Sequence, residues 1–342
     1  MIQQTADEII AGRRLNREDD LSFLINGDLE ALRKAANKIR ENLCGNHVNL
    51  CSIINGRAGR CSENCKFCAQ SAHNPTGAKE YDLLNADEVI EACKKNEAYG
   101  VHKFSIVTAG RTLCGGAFEQ AVNIYSRMNE ECPNISLCAS HGLLTEDQFV
   151  RLRESGVTMY HANIETSRRN FPNICTTHTF DDKIKCIKAA QKAGLEVCSG
   201  GILGMGETWE DRLDMALTLS ELNIDSIPLN ALMPIKGTPL QDLPVLTEDE
   251  ILRSVALFRF INPTAHIRLA AGRNLMSESG KEAFFSGANA TITGDMLTTS
   301  GNNTVQDKEM LVENGFDISS ELKNFTKNNV DKLPNLRYNN KR

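Results

Sequence analysis

No run in this sequence approaches the roughly 18 consecutive apolar residues of a membrane-spanning helix. Basic residues are not in excess. The formal net charge is −6 at pH 7, and nothing suggests a surface built for nucleic acid. The N-terminal stretch MIQQTADEIIAGRRLNREDD has no apolar core of the signal-peptide kind. No repeat of fixed period and no domain linker is visible. The glycine-rich GMGET at 204–208 lacks Walker spacing, so it is not read as a phosphate site. These absences leave a cytoplasmic protein as the expectation, with no membrane and no nucleic acid as partner. Twelve cysteines in a reducing compartment are core thiols, metal ligands or redox groups rather than a disulfide framework.

What is present is a regular alternation. The chain has 342 residues and is 41% hydrophobic, enough for a large core. Apolar strand candidates occupy 48–54, 103–109, 135–140, 157–164, 195–202, 225–232, 266–271 and 290–292, the last being the weakest pattern. Amphipathic helical stretches separate them at 86–98, 117–131, 145–155, 180–193, 208–222, 247–261 and 277–286. Thr145 before Gln148, Thr208 before Asp211 and Thr247 before Glu250 mark helix starts at capping spacing. Eight strands alternating with helices predict an α/β fold, a (β/α)8 TIM-type barrel, rather than an open doubly wound sheet. The expected organisation is an N-terminal helical extension over 1–45, the barrel over 46–300, and a polar C-terminal extension over 301–342 that ends in a flexible tail.

Three of the cysteines fall within eight residues, in "GRCSENCKFCAQ" at 59–70: Cys61, Cys65 and Cys68. They follow the first strand, at the end of a barrel where active sites are built. Three thiolates on one loop can converge on a small object, and soft thiolates suit zinc or iron–sulfur. Structural zinc uses two paired elements, and no second pair lies nearby. His73 is the one nearby candidate for a fourth ligand. The pattern therefore points to a [4Fe-4S] cluster on three thiolates, with the fourth iron left open for a small molecule.

A C-x3-C-x2-C loop after strand one of an α/β barrel resembles the radical S-adenosylmethionine superfamily, and Phe67 fits the same pattern. The resemblance implies that the open iron binds S-adenosylmethionine. Its reductive cleavage then yields methionine and a 5′-deoxyadenosyl radical. "YHANIETS" (160–167), "EVCSGGILGMGET" (196–208), "IPLNALMPIKGTPL" (227–240) and "IRLAAGRNLM" (267–276) further resemble the biotin synthase family, from about residue 45 to 300. That likeness implies sulfur insertion into dethiobiotin to form biotin, with sulfur drawn from a second, auxiliary iron–sulfur cluster inside the barrel. It also implies a homodimer and a small electron-donor protein of flavodoxin or ferredoxin type.

The family's usual auxiliary site is a [2Fe-2S] cluster on three cysteines and one arginine. Cys138, Cys198 and Arg268 match three of these positions; the strand-two position is Ser105. A neutral hydroxyl is a poor iron ligand beside thiolates. Side chains two apart on a strand share a face. Arg57 matches a basic, substrate-facing family position, and Cys51 lies six residues before it. Cys51 is thereby expected to face the interior with Cys138 and Cys198, on strands one, three and five. Three thiolates favour a four-iron auxiliary cluster, with its fourth iron carrying a free sulfide or held near Arg268. The alternatives are a [2Fe-2S] cluster with Ser105 as a ligand, Cys51 being only a small buried hydrophobe, or Cys114 as the fourth ligand.

By the same likeness, Phe67, Asn163, Glu165 (for the usual aspartate) and Ile202 bind the cofactor, while Arg57, Asn163 and Asn230 bind substrate. His161, where the family often has asparagine, is left out of the site. Cys44, Cys93, Cys132, Cys175 and Cys186 are read as packing or loop residues. A hydrogenase-maturase-like or methylornithine-synthase-like radical enzyme is the alternative on the same barrel. A non-catalytic iron–sulfur protein is the alternative outside it. The cysteine motif of lipoyl synthase is missing.

Overall fold

The structure is a computed structural model that describes residues 1–294 and 303–319. Nine strands are present among these residues: β1 Asn49–Arg57, β2 Lys103–Thr108, β3 Ser136–Ser140, β4 Val157–His161, β5 Glu196–Cys198, β6 Gly201–Leu203, β7 Ser226–Ala231, β8 His266–Leu269 and β9 Ala290–Ile292. The helices are α1 Ile2–Ile10, α2 Ser22–Asn26, α3 Leu29–Cys44, α4 Ala86–Ala98, α5 Gly115–Glu131, α6 Glu146–Glu154, α7 Phe171–Ile174, α8 Phe180–Lys192, α9 Trp209–Glu221, α10 Glu248–Ile261, α11 Lys281–Phe284 and α12 Thr304–Glu313.

The strands pair in parallel in the order β5-β4-β3-β2-β1-β9-β8-β7-β6, and the Cys198–Ser226 pairing of β5 with β7 closes the ring. This is the TIM-type barrel that the alternating pattern predicts. The short Ala290–Ile292 is a true strand, held between β1 and β8. The stretch 195–202 is two strands rather than one. After Cys198 the chain leaves β4 and passes to β7, and the backbones there almost touch. A Cβ at Gly200 would sit 2.0 Å from the Pro228 carbonyl oxygen, and one at Gly201 would sit 2.2 Å from that of Glu165. Only glycine allows this approach. The stretch 277–286 is also broken. Left-handed backbone at Glu278, Ser279 and Gly280 splits it into a 3-10 turn and the short α11.

The three capping signals are read correctly. Thr145, Thr208 and Thr247 each form a full capping box with the residue three positions on. The N-terminal helices pack against α10, with Phe23 edge-on to Phe260 at 5.7 Å. Residues 303–319 pack back on the barrel as well. The Arg273–Asp307 ion pair is buried at 2.9 Å, and Phe316 lies beside Phe284 and Phe285. The expected flexible end, 320–342, lies outside the described residues. Among the described residues no helix is long and apolar enough to cross a membrane.

Candidate active site

Inside the barrel, alternate residues of successive strands line one cavity of about 350 Å³. Cys51 and Ile53 come from β1, Lys103, Ser105 and Val107 from β2, Cys138 and Ser140 from β3, Met159 and His161 from β4, and Cys198 from β5. Ile202, Asn230, Arg268 and Ile292 complete the ring from β6 to β9. The period of two is the pleat of each strand. At the loop end the wall is Phe67, Cys68, Ala69 and Gln70 after β1, with Met233 and Ile235 after β7.

The cysteine loop is braced by its own backbone. Gly59 and Arg60 turn the chain with positive φ of 75° and 50°. The Asn74 amide then donates to the carbonyls of Cys65 at 3.1 Å and Cys68 at 2.8 Å, and the Cys61 N–H donates to Gln70. Burial pushes the Cys68 thiol up to about 11. His73, the candidate fourth ligand, is exposed and faces the Ser62 carbonyl at 3.1 Å.

Deeper in the barrel, Cys51, Cys138 and Cys198 are 8%, 4% and 8% exposed. Burial raises all three thiols, and each pair interacts electrostatically through Cys51 or Cys138. Two cations face them. Lys103 and Arg268 both act to lower the three thiols. The Arg268 guanidinium donates to Ser226 Oγ at 3.2 Å, the Thr291 carbonyl at 3.0 Å and Asn49 Oδ1 at 2.7 Å. Lys103 reaches Glu196 at 3.3 Å. Ser105 Oγ is buried in the same wall without a hydrogen-bond partner. Three soft donors, two cations and an orphaned hydroxyl around one space fit an anionic, sulfur-rich group such as an iron–sulfur cluster.

Between mouth and floor, β4 and β6 meet at Glu165. Its N–H donates to Gly200, its carbonyl accepts from Ile202, and its φ is 69°. Burial raises its carboxyl. Asn163 Oδ1 accepts from the Gly200 N–H at 3.0 Å, and its amide donates to Glu165 at 3.3 Å. Asn230 donates to the Gly201 carbonyl at 3.0 Å and accepts from the Ala271 N–H at 3.1 Å.

The expected residues Cys51, Phe67, Cys68, Cys138, Asn163, Glu165, Cys198, Ile202, Asn230 and Arg268 therefore share one cavity. Cys61 and Cys65 stand in the same loop just outside its wall. Arg57 is half-buried and is not among the described lining residues, because β1 bulges between Asn55 and Arg57 and resets the alternation. Cys114 is exposed at the start of α5, away from the lining. Two lining groups escaped the sequence reading. His161, excluded on family grounds, lines the cavity, and burial lowers it to about 4. Lys103 stands two residues before Ser105, so the parity that located Cys51 also points to it.

A closed parallel barrel with a three-cysteine loop leaving its first strand is the architecture of a radical S-adenosylmethionine enzyme, and residues 57–219 match the description Radical SAM superfamily. Residues 228–317 match the Biotin and Thiamin Synthesis associated domain. The chain is 64% identical over 317 residues to biotin synthase of Clostridium beijerinckii, covering 93% of this chain and 100% of that one. It is also 64% identical over 317 residues to biotin synthase of Alkaliphilus metalliredigens, with 93% and 99% covered. The chain belongs to the biotin synthase family. Methylornithine synthase shares the fold at a TM-score of 0.73 and 22% identity, over 84% of this chain and 85% of that one.

Proposed function

We propose that this chain makes biotin from dethiobiotin using sulfur from an auxiliary cluster held by Cys51, Cys138 and Cys198. The observation that carries the reading is the placement of these three thiols on one wall below Cys68, with Lys103 and Arg268 beside them. Cys61, Cys65 and Cys68 would hold the first cluster. Given one electron from a donor protein, that cluster would supply reductive cleavage of bound S-adenosylmethionine to methionine and a 5′-deoxyadenosyl radical able to take hydrogen from an unactivated C–H bond. Phe67, Ile202, Asn163 and Glu165 would hold the cofactor, the buried Glu165 accepting from its ribose hydroxyls. Asn230, clamped by two backbone bonds, keeps one N–H and one lone pair for the ureido ring of dethiobiotin. The apolar lining at Phe67, Met233 and Ile235 excludes water from the reacting carbons. Lys103 and Arg268 balance the negative charge of the thiolates.

Three thiolates favour four irons over two at the auxiliary site. The bulge at Asn55/Arg57 leaves this intact, because Cys51 and Ile53 lie below it. A donor protein of flavodoxin or ferredoxin type would deliver electrons, and a homodimer in the cytoplasm is the expected state.

Anaerobically reconstituted protein should carry about eight irons per chain, the sum of two four-iron clusters. Cys51→Ala should drop to about four, keep 5′-deoxyadenosine formation and make no biotin. Ser105→Ala should keep both clusters. Loss of the auxiliary irons in Ser105→Ala with retention in Cys51→Ala would overturn the ligand set. A total of about six in the unchanged protein would favour [2Fe-2S].

A further inference from the structure

A second thiol approaches the cysteine loop from the outside. Cys175 follows α7, and its Sγ lies 3.7 Å from Cys65 Sγ and 3.3 Å from His178 Nδ1. One ligand atom from each of these three residues lies within 4.8 Å of the other two. A tetrahedral zinc ion with Zn–S bonds of about 2.3 Å spaces two thiolates about 3.8 Å apart, and sulfur from nitrogen by about 3.6 Å. The 3.7 Å sulfur pair matches the first edge, the 3.3 Å sulfur–nitrogen pair is about 0.3 Å short of the second, and the third pair lies within 4.8 Å. Cys175 and His178 are 4% and 7% exposed, and it is His178 Nδ1 that faces the Cys175 sulfur. The Glu63 carboxylate lies 2.5 Å from His178 Nδ1 and adds a negative charge beside the space. Asn64 Oδ1 and Thr177 Oγ1, each 3.4 Å from Cys175 Sγ, add neutral oxygens. Sulfur insertion as argued above uses neither Cys175 nor His178.

We infer that in the cluster-free chain Cys65, Cys175 and His178 hold one divalent transition-metal ion, and that this ion and the first cluster exclude one another because both require Cys65. Two thiolates and an imidazole suit Zn²⁺, Fe²⁺ or Co²⁺ and disfavour Mg²⁺ or Ca²⁺. Binding displaces the ligand protons to solvent, and no electron is transferred. The exclusion half rests on Cys65 being a cluster ligand; the binding half does not.

Full-length protein stripped of iron under argon is titrated with cobalt(II), and bound equivalents and thiolate-to-cobalt absorption are read. Cobalt taken by the barrel thiols is common to every variant and cancels in the comparison. Cys175→Ser and His178→Gln should each bind about one equivalent less than the unchanged chain, since each loses one of only three protein ligands. Cys61→Ala should lose nothing, and far-ultraviolet circular dichroism checks that each variant folds. Equal binding in Cys175→Ser and the unchanged chain overturns the site. So does parallel loss in Cys61→Ala, which would put the ion on the loop cysteines alone.

For exclusion, zinc-loaded protein is treated with ferrous iron and sulfide. The unchanged chain should lack the electron paramagnetic resonance signal that responds to S-adenosylmethionine, and Cys175→Ser should gain it. An unchanged chain that keeps its zinc and also gains the signal overturns exclusion. If zinc-free protein never gains the signal, the assignment of the first cluster fails, while the cobalt result still decides the metal site.

Discussion

Asn230, proposed above as a substrate contact, is also a structural tie. Its amide joins β6 to the segment after β8 through two backbone hydrogen bonds. Asn230→Ala removes both, at about 1 kcal/mol each, in addition to any contact with dethiobiotin. Activity alone would not separate these losses. The ratio of biotin to 5′-deoxyadenosine formed should fall at least about tenfold, the equivalent of about 1.4 kcal/mol in orientation of the reacting carbon. An unchanged ratio with reduced stability would leave Asn230 a tie only. Glu165 is a comparable case. The conserving change Glu165→Asp shortens its reach but keeps the charge, and should weaken cofactor binding without abolishing it. Glu165→Ala should abolish measurable binding by equilibrium dialysis. The role of these residues was legible only by resemblance, because an asparagine or glutamate at a strand end has no distinguishing local pattern. Cys51 and Lys103 are different. Both face the interior, but the count that placed Cys51 starts from Arg57, a position taken from the resemblance, and a bulge that leaves no mark in the sequence puts Arg57 itself off the lining.

At the scale of elements, β2, β3, β4 and α5 are fastened by a buried polar chain. His141, fully buried, pairs its Nδ1 with Thr108 Oγ1 and its Nε2 with Tyr125 OH, both at 3.0 Å, one ring nitrogen donating and the other accepting, while its backbone N–H donates to Tyr160 OH. Burial lowers this imidazole to about 3 from the usual 6.5. Between those values the unfolded chain takes up a proton that the folded chain refuses. Stability therefore falls as pH drops below about 6.5, by up to about 1.4 kcal/mol per pH unit from this group. The urea midpoint of the unchanged protein should drop more steeply between about pH 7 and 5.5 than that of His141→Gln; parallel slopes would exclude His141 as the source. The ion pair of Arg273 with Asp307 fastens α12 in a related way. Asp307→Ala strands a buried guanidinium and should cost on the order of 3 kcal/mol in chemical denaturation. Existence and type of nearly all elements were readable from period and caps. The breaks at 199–200 and 278–280 were not. The first is imposed by close contact with Pro228 and Glu165, and the second by left-handed turns at two non-glycine residues. The first cause lies in other segments, and the second is a backbone conformation that glutamate and serine do not signal.

For the whole molecule, the described C-terminal segment closes what the barrel begins. β9 fills the gap between β8 and β1, and Asp317 bridges back to His47. A ligand that binds only the folded barrel stabilises it by mass action. Protein loaded with both iron–sulfur groups should accordingly unfold at a higher temperature than chelator-stripped protein, and Cys51→Ala should show only part of that rise. The cavity has a further property. Among the described residues its loop-end wall is Phe67 and Cys68, whereas at depth Arg268 is tied to Asn49 and Lys103 to Glu196. If sulfur is given up at depth as proposed above, among the described residues it is restocked from the loop end, the side that substrate, cofactor and product also use. Traffic is single file, and a waiting guest blocks the supply line. High dethiobiotin together with S-adenosylmethionine should thus slow the reloading of spent protein with iron and sulfide. The molecule would behave as a vessel that must be emptied before it is refilled.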